Sequence, residues 1–384
     1  MTHIQAKWLE DSAVQHVCDV LTKGGAEVYF VGGCVRNALL GAPVSDLDLS
    51  TNVPPQRVMA LAEGAGIKAI PTGIDHGTVT LVHRGTPYEI TTFRRDVATD
   101  GRRAVVAFAD RIEEDAARRD FTMNALYARP DGGLVDPLNG LPDLRARLVR
   151  FIGSAAQRIR EDYLRSLRYF RFHAWYGNPA AGFDPDALSA IAENLNGIGS
   201  LSRERVGSEV LKLLAAPDPA PAIAVMRQVG LLPLILPGSD DRALGPLVHL
   251  EAGVPAEPLC RLAALGGDAP WEALRLSKAQ ASDVRLLRSA AEGTDGPAAL
   301  AYHHGATTAR NVMLLRSALL EMPITPDLEA EITKGAGAVF PLSAKDLMPD
   351  LQGAALGAAL KSLQKDWIRS GFMLDRDALL KRLL

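Results

Sequence analysis

Cysteine is scarce in this chain: Cys18, Cys34 and Cys260 are the only three in 384 residues. None forms a CxxC pair, which argues against a disulfide framework and a structural zinc site and makes a reducing cytoplasm the expected compartment. Long apolar runs are absent as well. No stretch approaches ~18 apolar residues, so no membrane span is expected. The first twenty residues carry Lys7, Glu10, Asp11 and Asp19, unlike a secretory leader. Net charge is also small, with 42 Lys+Arg against 45 Asp+Glu giving −3. A nucleic-acid-binding domain usually carries a basic excess, but the average conceals a local one. Lysine is rare, 10 residues against 32 arginines, and residues 94–171 hold 16 arginines, no lysine and 12 acids. Within 145–171 there are eight arginines and two acids. What remains is ordinary for a globular protein: 47% hydrophobic and 23% charged residues exclude global disorder. At ~150 residues per domain, the length suggests two or three domains.

Two textures divide the chain. From about Glu27 to Asp136, short β-branched or aromatic runs alternate with turns and helical segments. Strands are expected at Glu27–Val31, Asp46–Ser50, Ile67–Ile70, Gly77–His83 and Tyr88–Phe93, with a turn at Arg84–Pro87 joining the last two. Helices are expected at Ser12–Lys23, Val35–Leu40 and Pro54–Glu63. After Pro142 the texture becomes helical. Apolar residues at Ile159, Tyr163, Leu167 and Phe170 predict a continuous helix ending at Gly177. No fixed period supports a repeat array.

Four groups of residues carry chemistry. Gly32-Gly33 follows a strand and opens a helix, which makes either a simple tight turn or a phosphate cradle of backbone N–H groups. Asp46-Leu47-Asp48 on a strand puts two carboxylates on one face. They are either a solvated strand end or a Mg²⁺-binding pair, since a cation between them relieves their repulsion. Glu89 is a lone acid in the strand YEITTF; it either pairs with Arg94 or Arg95 or completes a three-carboxylate cradle. Arg118-Arg119-Asp120, followed by Asn124, makes a surface network or a triphosphate clamp. Asp162, Arg165, Arg168 and Arg171 recur every three residues, so one helix would carry them as a slowly drifting polar stripe. Three stacked arginines repel one another, which suits a stripe facing phosphates or bases.

GGxVR, DxD, the Glu-containing strand, RRDFTxNAL and EDxxRxxRxxRF occur in the order of the class II tRNA nucleotidyltransferases, which the chain resembles from about Val28 to Phe172. That superfamily comprises CCA-adding enzymes and bacterial poly(A) polymerases. The resemblance implies an α+β protein with a polymerase-β-like head of mixed sheet and helices at 1–150. It further implies a helical neck with the base-recognition motif at 151–215 and a helical, tRNA-binding body and tail at 216–384. It implies Asp46 and Asp48 as the metal pair, Glu89 at the third-carboxylate position, and Mg²⁺ as cofactor. Gly32, Gly33, Arg36, Arg119 and Asn124 fall in nucleotide-contacting motifs, and Asp120 in the motif associated with the ribose. Asp162 and Arg165 match a protein template for the base, with Arg168 and Arg171 extending it. An Arg–Asp pair suits C and A, which present a ring acceptor beside an amino donor; U and G reverse that order. The implied partners are the tRNA acceptor end, CTP and ATP. Asn37 stands where the family commonly has Asp, and a tuned hydrogen bond is expected there. CCA addition, CC addition, A addition and poly(A) synthesis share this scaffold, as would a non-catalytic RNA-binding descendant. The complete loop at Arg94–Ala117 favours CCA or A addition, and no long basic tail points to poly(A) synthesis.

Overall fold

The computed structural model describes residues 2–99, 104–348 and 350–383. Two compact units divide it, Met1–Ile235 and Leu236–Leu384. The fold is α+β, with every strand in the first unit.

A seven-stranded sheet organises that unit. Its strands are β1 (Val28–Val31), β2 (Asp48–Thr51), β3 (Lys68–Gly73), β4 (Thr78–His83) and β5 (Thr86–Thr92), with the short β8 (Tyr127–Ala128) and β9 (Leu134–Val135). A separate hairpin of β6 (Arg94–Thr99) and β7 (Ala104–Phe108) lies between them in sequence. The order across the sheet is β3-β4-β5-β2-β1-β8-β9, and only the β2–β5 pair is parallel. The β4–β5 hairpin turns in two residues, Arg84 and Gly85, both at positive φ (49° and 82°), the geometry that matches the twist of paired strands. Val79, Leu81, Leu49 and Ile90 are fully shielded, as alternation on a half-buried sheet dictates.

Helix α1 (Ser12–Lys23) buries Val17 and Leu21, and α3 (Pro55–Gly64) buries Val58 and Ala62. Asp11 caps α1 by accepting from the Ala13 N–H at 2.7 Å, satisfying a donor that the first turn leaves open. Between them, α2 (Gly33–Leu40) leaves the end of β1. The chain then forms α4 (Ile112–Ala117), α5 (Leu141–Ala146), α6 (Ala155–Glu161), α7 (Leu164–Tyr176), α8 (Pro185–Glu193) and α9 (Arg203–Leu214). Two departures from the sequence expectations matter. Arg94–Ala117 holds the β6–β7 hairpin and α4 rather than an open loop, with its tip at 100–103 outside the described residues. The continuous helix expected to Gly177 is broken: Asp162 is extended (φ −153°, ψ 106°) and closes α6 before α7 begins.

The second unit is all helical. Arg261 and Glu251 form a buried ion pair at 2.7 Å within it, and Leu342, Leu347, Leu363, Trp367 and Leu379 make one of its apolar clusters. Among the described residues no helix is long and apolar enough to cross a membrane.

Candidate active site

The site begins where β1 gives way to α2. Gly32 sits at φ 71°, a conformation that disfavours any side chain, and a Cβ there would stand 3.4 Å from an Arg119 guanidinium nitrogen. Gly33 follows as the first residue of α2, whose opening N–H groups have no partner within the helix. Position 32 is therefore glycine for two reasons, backbone sign and the closeness of Arg119.

The acids line up one strand away. In the parallel β2–β5 pair Asp48 is in register with Glu89, and Asp46 lies two residues before Asp48. Asp46, Asp48 and Glu89 are all exposed, and no ion pair to any of them is found among the described residues, so Glu89 does not take up Arg94 or Arg95. Arg95 faces Glu114 at 3.8 Å instead. The Asp48 carboxyl is raised above its ordinary range, first by burial, then by Glu89 and Asp46, while Arg119 pulls the other way. Three acids close enough to feel one another, without a paired cation, fit a divalent ion in chemistry. Among the described residues, however, no three His, Cys, Asp or Glu side chains converge into a metal-holding group.

Behind the acids lies a buried arginine network. Arg119 donates to Asp115 at 2.9 Å and to the Tyr127 hydroxyl at 3.1 Å, and that hydroxyl donates to Asp115 at 2.7 Å. Burial alone would raise the Asp115 carboxyl, but Arg119 holds it below the usual carboxylate range. Arg36, 6% exposed, donates to the Asn124 side chain at 2.6 Å, to the Asn37 side chain at 2.9 and 3.1 Å, and to the Tyr176 hydroxyl at 2.9 Å. Asn37 thus makes the tuned bond expected of it and also donates to the Pro43 carbonyl. These partners of Arg36 are all neutral. Asn124 passes the chain on to Asp120 at 2.9 Å, and Asp120 accepts from Arg168 at 2.7 Å. Asp120 is raised by burial and lowered further by Arg168, for a net fall. Asp120 and Asn124 are both buried, so here they brace the site from within.

The expected polar stripe departs from a bare row of cations. Arg165 pairs with Glu161 (2.6 Å), Arg168 with Asp120, and Arg171 with Glu209 (2.6 Å). Each guanidinium of the row faces a carboxylate, Glu161 being shared with Arg158, which offsets the mutual repulsion. Asp162 and Arg165 are not each other's partners. Asp162 accepts from Arg205 at 2.7 Å and from the Leu164 N–H at 3.1 Å, while Arg165 also reaches the carbonyls of Arg158 and Arg118. Arg205 and Glu209 went unmarked by sequence reasoning, and Glu161 stood in the EDxxR motif without a role of its own. Arg205 and Glu209 lie on α9, about forty residues on, and no local spacing connects them to the motif. Beside the break, Gly197 leaves room for the Tyr163 ring, into which a Cβ at that position would run.

The Poly A polymerase head domain family matches residues 28–150, and the family described as the probable RNA and SrmB- binding site of polymerase A matches 182–242. Human mitochondrial CCA tRNA nucleotidyltransferase 1 is 33% identical over 96% of this chain and 88% of its own. The CCA-adding enzyme of Geobacillus thermodenitrificans is 42% identical over 58% of this chain and 54% of its own. The crystal structure of the Bacillus stearothermophilus CCA-adding enzyme in complex with CTP superposes with a TM-score of 0.75 at 30% identity, covering 93% of this chain and 92% of that one. With likeness of sequence and fold running nearly end to end, the chain belongs to the class II CCA-adding enzyme family, whose head domain is shared with poly(A) polymerases.

Proposed function

We propose that the protein adds C, C and A to the 3′ end of tRNA from CTP and ATP, without a nucleic-acid template and with release of pyrophosphate. The observation that carries this is the set of exposed, unpaired acids at the β2–β5 edge, set against Arg119. Asp46 and Asp48 would hold Mg²⁺, with Glu89 beside them. When bound, the metal supplies activation of the primer hydroxyl and neutralisation of triphosphate charge.

The chain's own residues do the rest. Gly32 and Gly33 let backbone N–H groups approach phosphate, and Arg36 and Arg119 offer guanidinium charge to it. Arg36 is suited to that work because its protein partners are neutral and leave its charge available. Asp120 and Asn124 orient Arg168 and Arg36. Asp162 accepts from the exocyclic amino group of C or A, and Arg165 donates to the adjacent ring nitrogen. U or G would leave these partners unpaired at about 1–3 kcal/mol each. Arg171 prolongs the row along α7. Within the chain we assign 1–150 to the catalytic head, 151–215 to the base-reading neck, and 216–384 to a body and tail that hold tRNA. A reducing compartment, the cytoplasm, is supported by three buried, unpaired cysteines, with burial foremost in pushing the Cys18 thiol up to about 12 and Cys34 to about 11.

Asp46→Ala tests the metal assignment. CMP incorporation into tRNA should be abolished while tRNA binding, followed by filter retention, is kept. Incorporation equal to the unsubstituted enzyme would overturn the assignment of Asp46.

A further inference from the structure

One aromatic side chain of α7 has no place in the chemistry above. Trp175 is 42% exposed, although its neighbours Tyr169, Phe170 and Phe172 are buried. Its indole N–H donates to the Lys212 carbonyl at 2.8 Å, which pins the ring against the last turn of α9. Among the described residues no other ring and no guanidinium packs on it, whereas Phe172 one turn earlier lies within 4.6–5.3 Å of Arg36, Arg168 and Arg171.

Position sharpens the case. At 3.6 residues per turn, Arg168, Arg171 and Trp175 fall within about 60° of one another around α7. Trp175 therefore continues the arginine row by one turn, and Arg171–Glu209 and Trp175–Lys212 are successive links between α7 and α9. Lys212, whose carbonyl holds the indole, is itself exposed. Arg147, also exposed, is tied to the end of α7 because its carbonyl accepts from the Asn178 N–H at 2.9 Å. The paired acid of this stretch, Glu209, is 5% exposed and engaged by Arg171. A fixed, open indole on a stretch that carries two exposed cationic residues suits a flat base carrying phosphates, because stacking is sequence-tolerant and cations take the backbone. A protein partner would be expected to find a broader apolar surface.

We infer that Trp175 is a stacking platform for an unpaired base of the RNA acceptor end, with Lys212 and Arg147 beside its phosphates. This rests on the proposal that RNA is the acceptor. Trp175 lies ten residues beyond Arg165, about 15 Å along the helix. That is too far for the base read by Arg165, so the occupant is the primer and not the incoming nucleotide.

The test uses the full-length protein, a tRNA lacking its 3′ CCA, and CTP. Tryptophan fluorescence should be quenched on adding tRNA, and that quench should vanish in Trp175→Phe. Trp175→Leu, which keeps apolar cover but offers no π face, should raise the KM for tRNA about tenfold while leaving the KM for CTP and kcat at saturating tRNA unchanged. Trp175→Phe should restore most of the tRNA affinity. A Trp175→Leu enzyme with unchanged tRNA KM would overturn the platform, as would a rise in the CTP KM in its place. Failure of the unsubstituted enzyme to incorporate CMP, with the quench intact, would instead sink the activity and leave the platform standing.

Discussion

At the scale of single residues, the proposed selection of the base by Asp162 depends on how its carboxylate is held. Its carboxylate is aimed by Arg205 on one oxygen and by the Leu164 N–H on the other, and Arg205 is about one third exposed. Removing Arg205 leaves Asp162 free to rotate, and the loss of a charge-assisted bond is of order 1–3 kcal/mol. Arg205→Ala should therefore narrow the preference for CTP over UTP about tenfold, and Arg205→Lys should recover part of it. Competition between labelled CTP and UTP reads this directly; undiminished selectivity in Arg205→Ala would show that Asp162 needs no such support. Arg36 presents the opposite design. A buried guanidinium normally takes a carboxylate, yet Arg36 is surrounded by two amides, a phenol and two aromatic faces. Burial foremost lowers its pKa, and the nearby Arg171 adds to this. A triphosphate would supply the missing anion.

At the scale of elements, the break between α6 and α7 sets where the residues proposed to read the base point. Next to it, the Tyr163 ring lies against the backbone of Gly197. Gly197→Ala should force that ring aside at about 1–3 kcal/mol, the usual cost of overpacking. A lower melting temperature together with weaker discrimination against UTP is expected; a stable, fully selective variant would mean that the break holds without Gly197. This break was illegible in the sequence for a physical reason. Ile159, Tyr163, Leu167 and Phe170 keep helical spacing straight across it, and Gly197, against which Tyr163 packs, lies more than thirty residues away. The β6–β7 hairpin was hidden differently: β6 (RRDVAT) is charged and β7 (AVVAF) is an unbroken apolar run, so neither shows the apolar alternation that marks a half-buried strand. Where local pattern and burial agree, the sequence was readable. TVTLVH and the strand bearing Glu89 alternate as a hairpin should, and α1 runs over Ser12–Lys23 as expected, its Asp11 cap being a finding of the structure. The acids at 46, 48 and 89 were legible as a group, but their register across β2 and β5 was not. The arginine partners on α9 were beyond local spacing altogether.

At the scale of the whole molecule, charge and pH come together. A net −3 means that tRNA affinity must come from local cations, so it should weaken with salt at a log–log slope of only about −3 to −4, as a few phosphate contacts dictate. Acid should act through the braces. Burial raises both Asp115 and Asp120, but Arg119 and Arg168 hold them net below the ordinary value near 3.8. The unfolded chain then takes up these protons at higher pH than the folded one. Their stabilisation is complete above the ordinary carboxylate value and is lost as pH falls through the depressed folded values. The melting temperature should stay level from pH 7 to about 5 and fall below about 4, with Asp120→Asn flattening part of that fall; a rise on acidification would contradict these assignments. The most direct measurement of the activity itself supplies tRNAs ending before the first C, after one C and after CC, with labelled CTP and ATP, and sizes the products. Extension of every primer to a single CCA end, with CMP and then AMP incorporated in order, is the expected result. Addition of A alone, a product stopping at CC, or a lengthening poly(A) tail would contradict it.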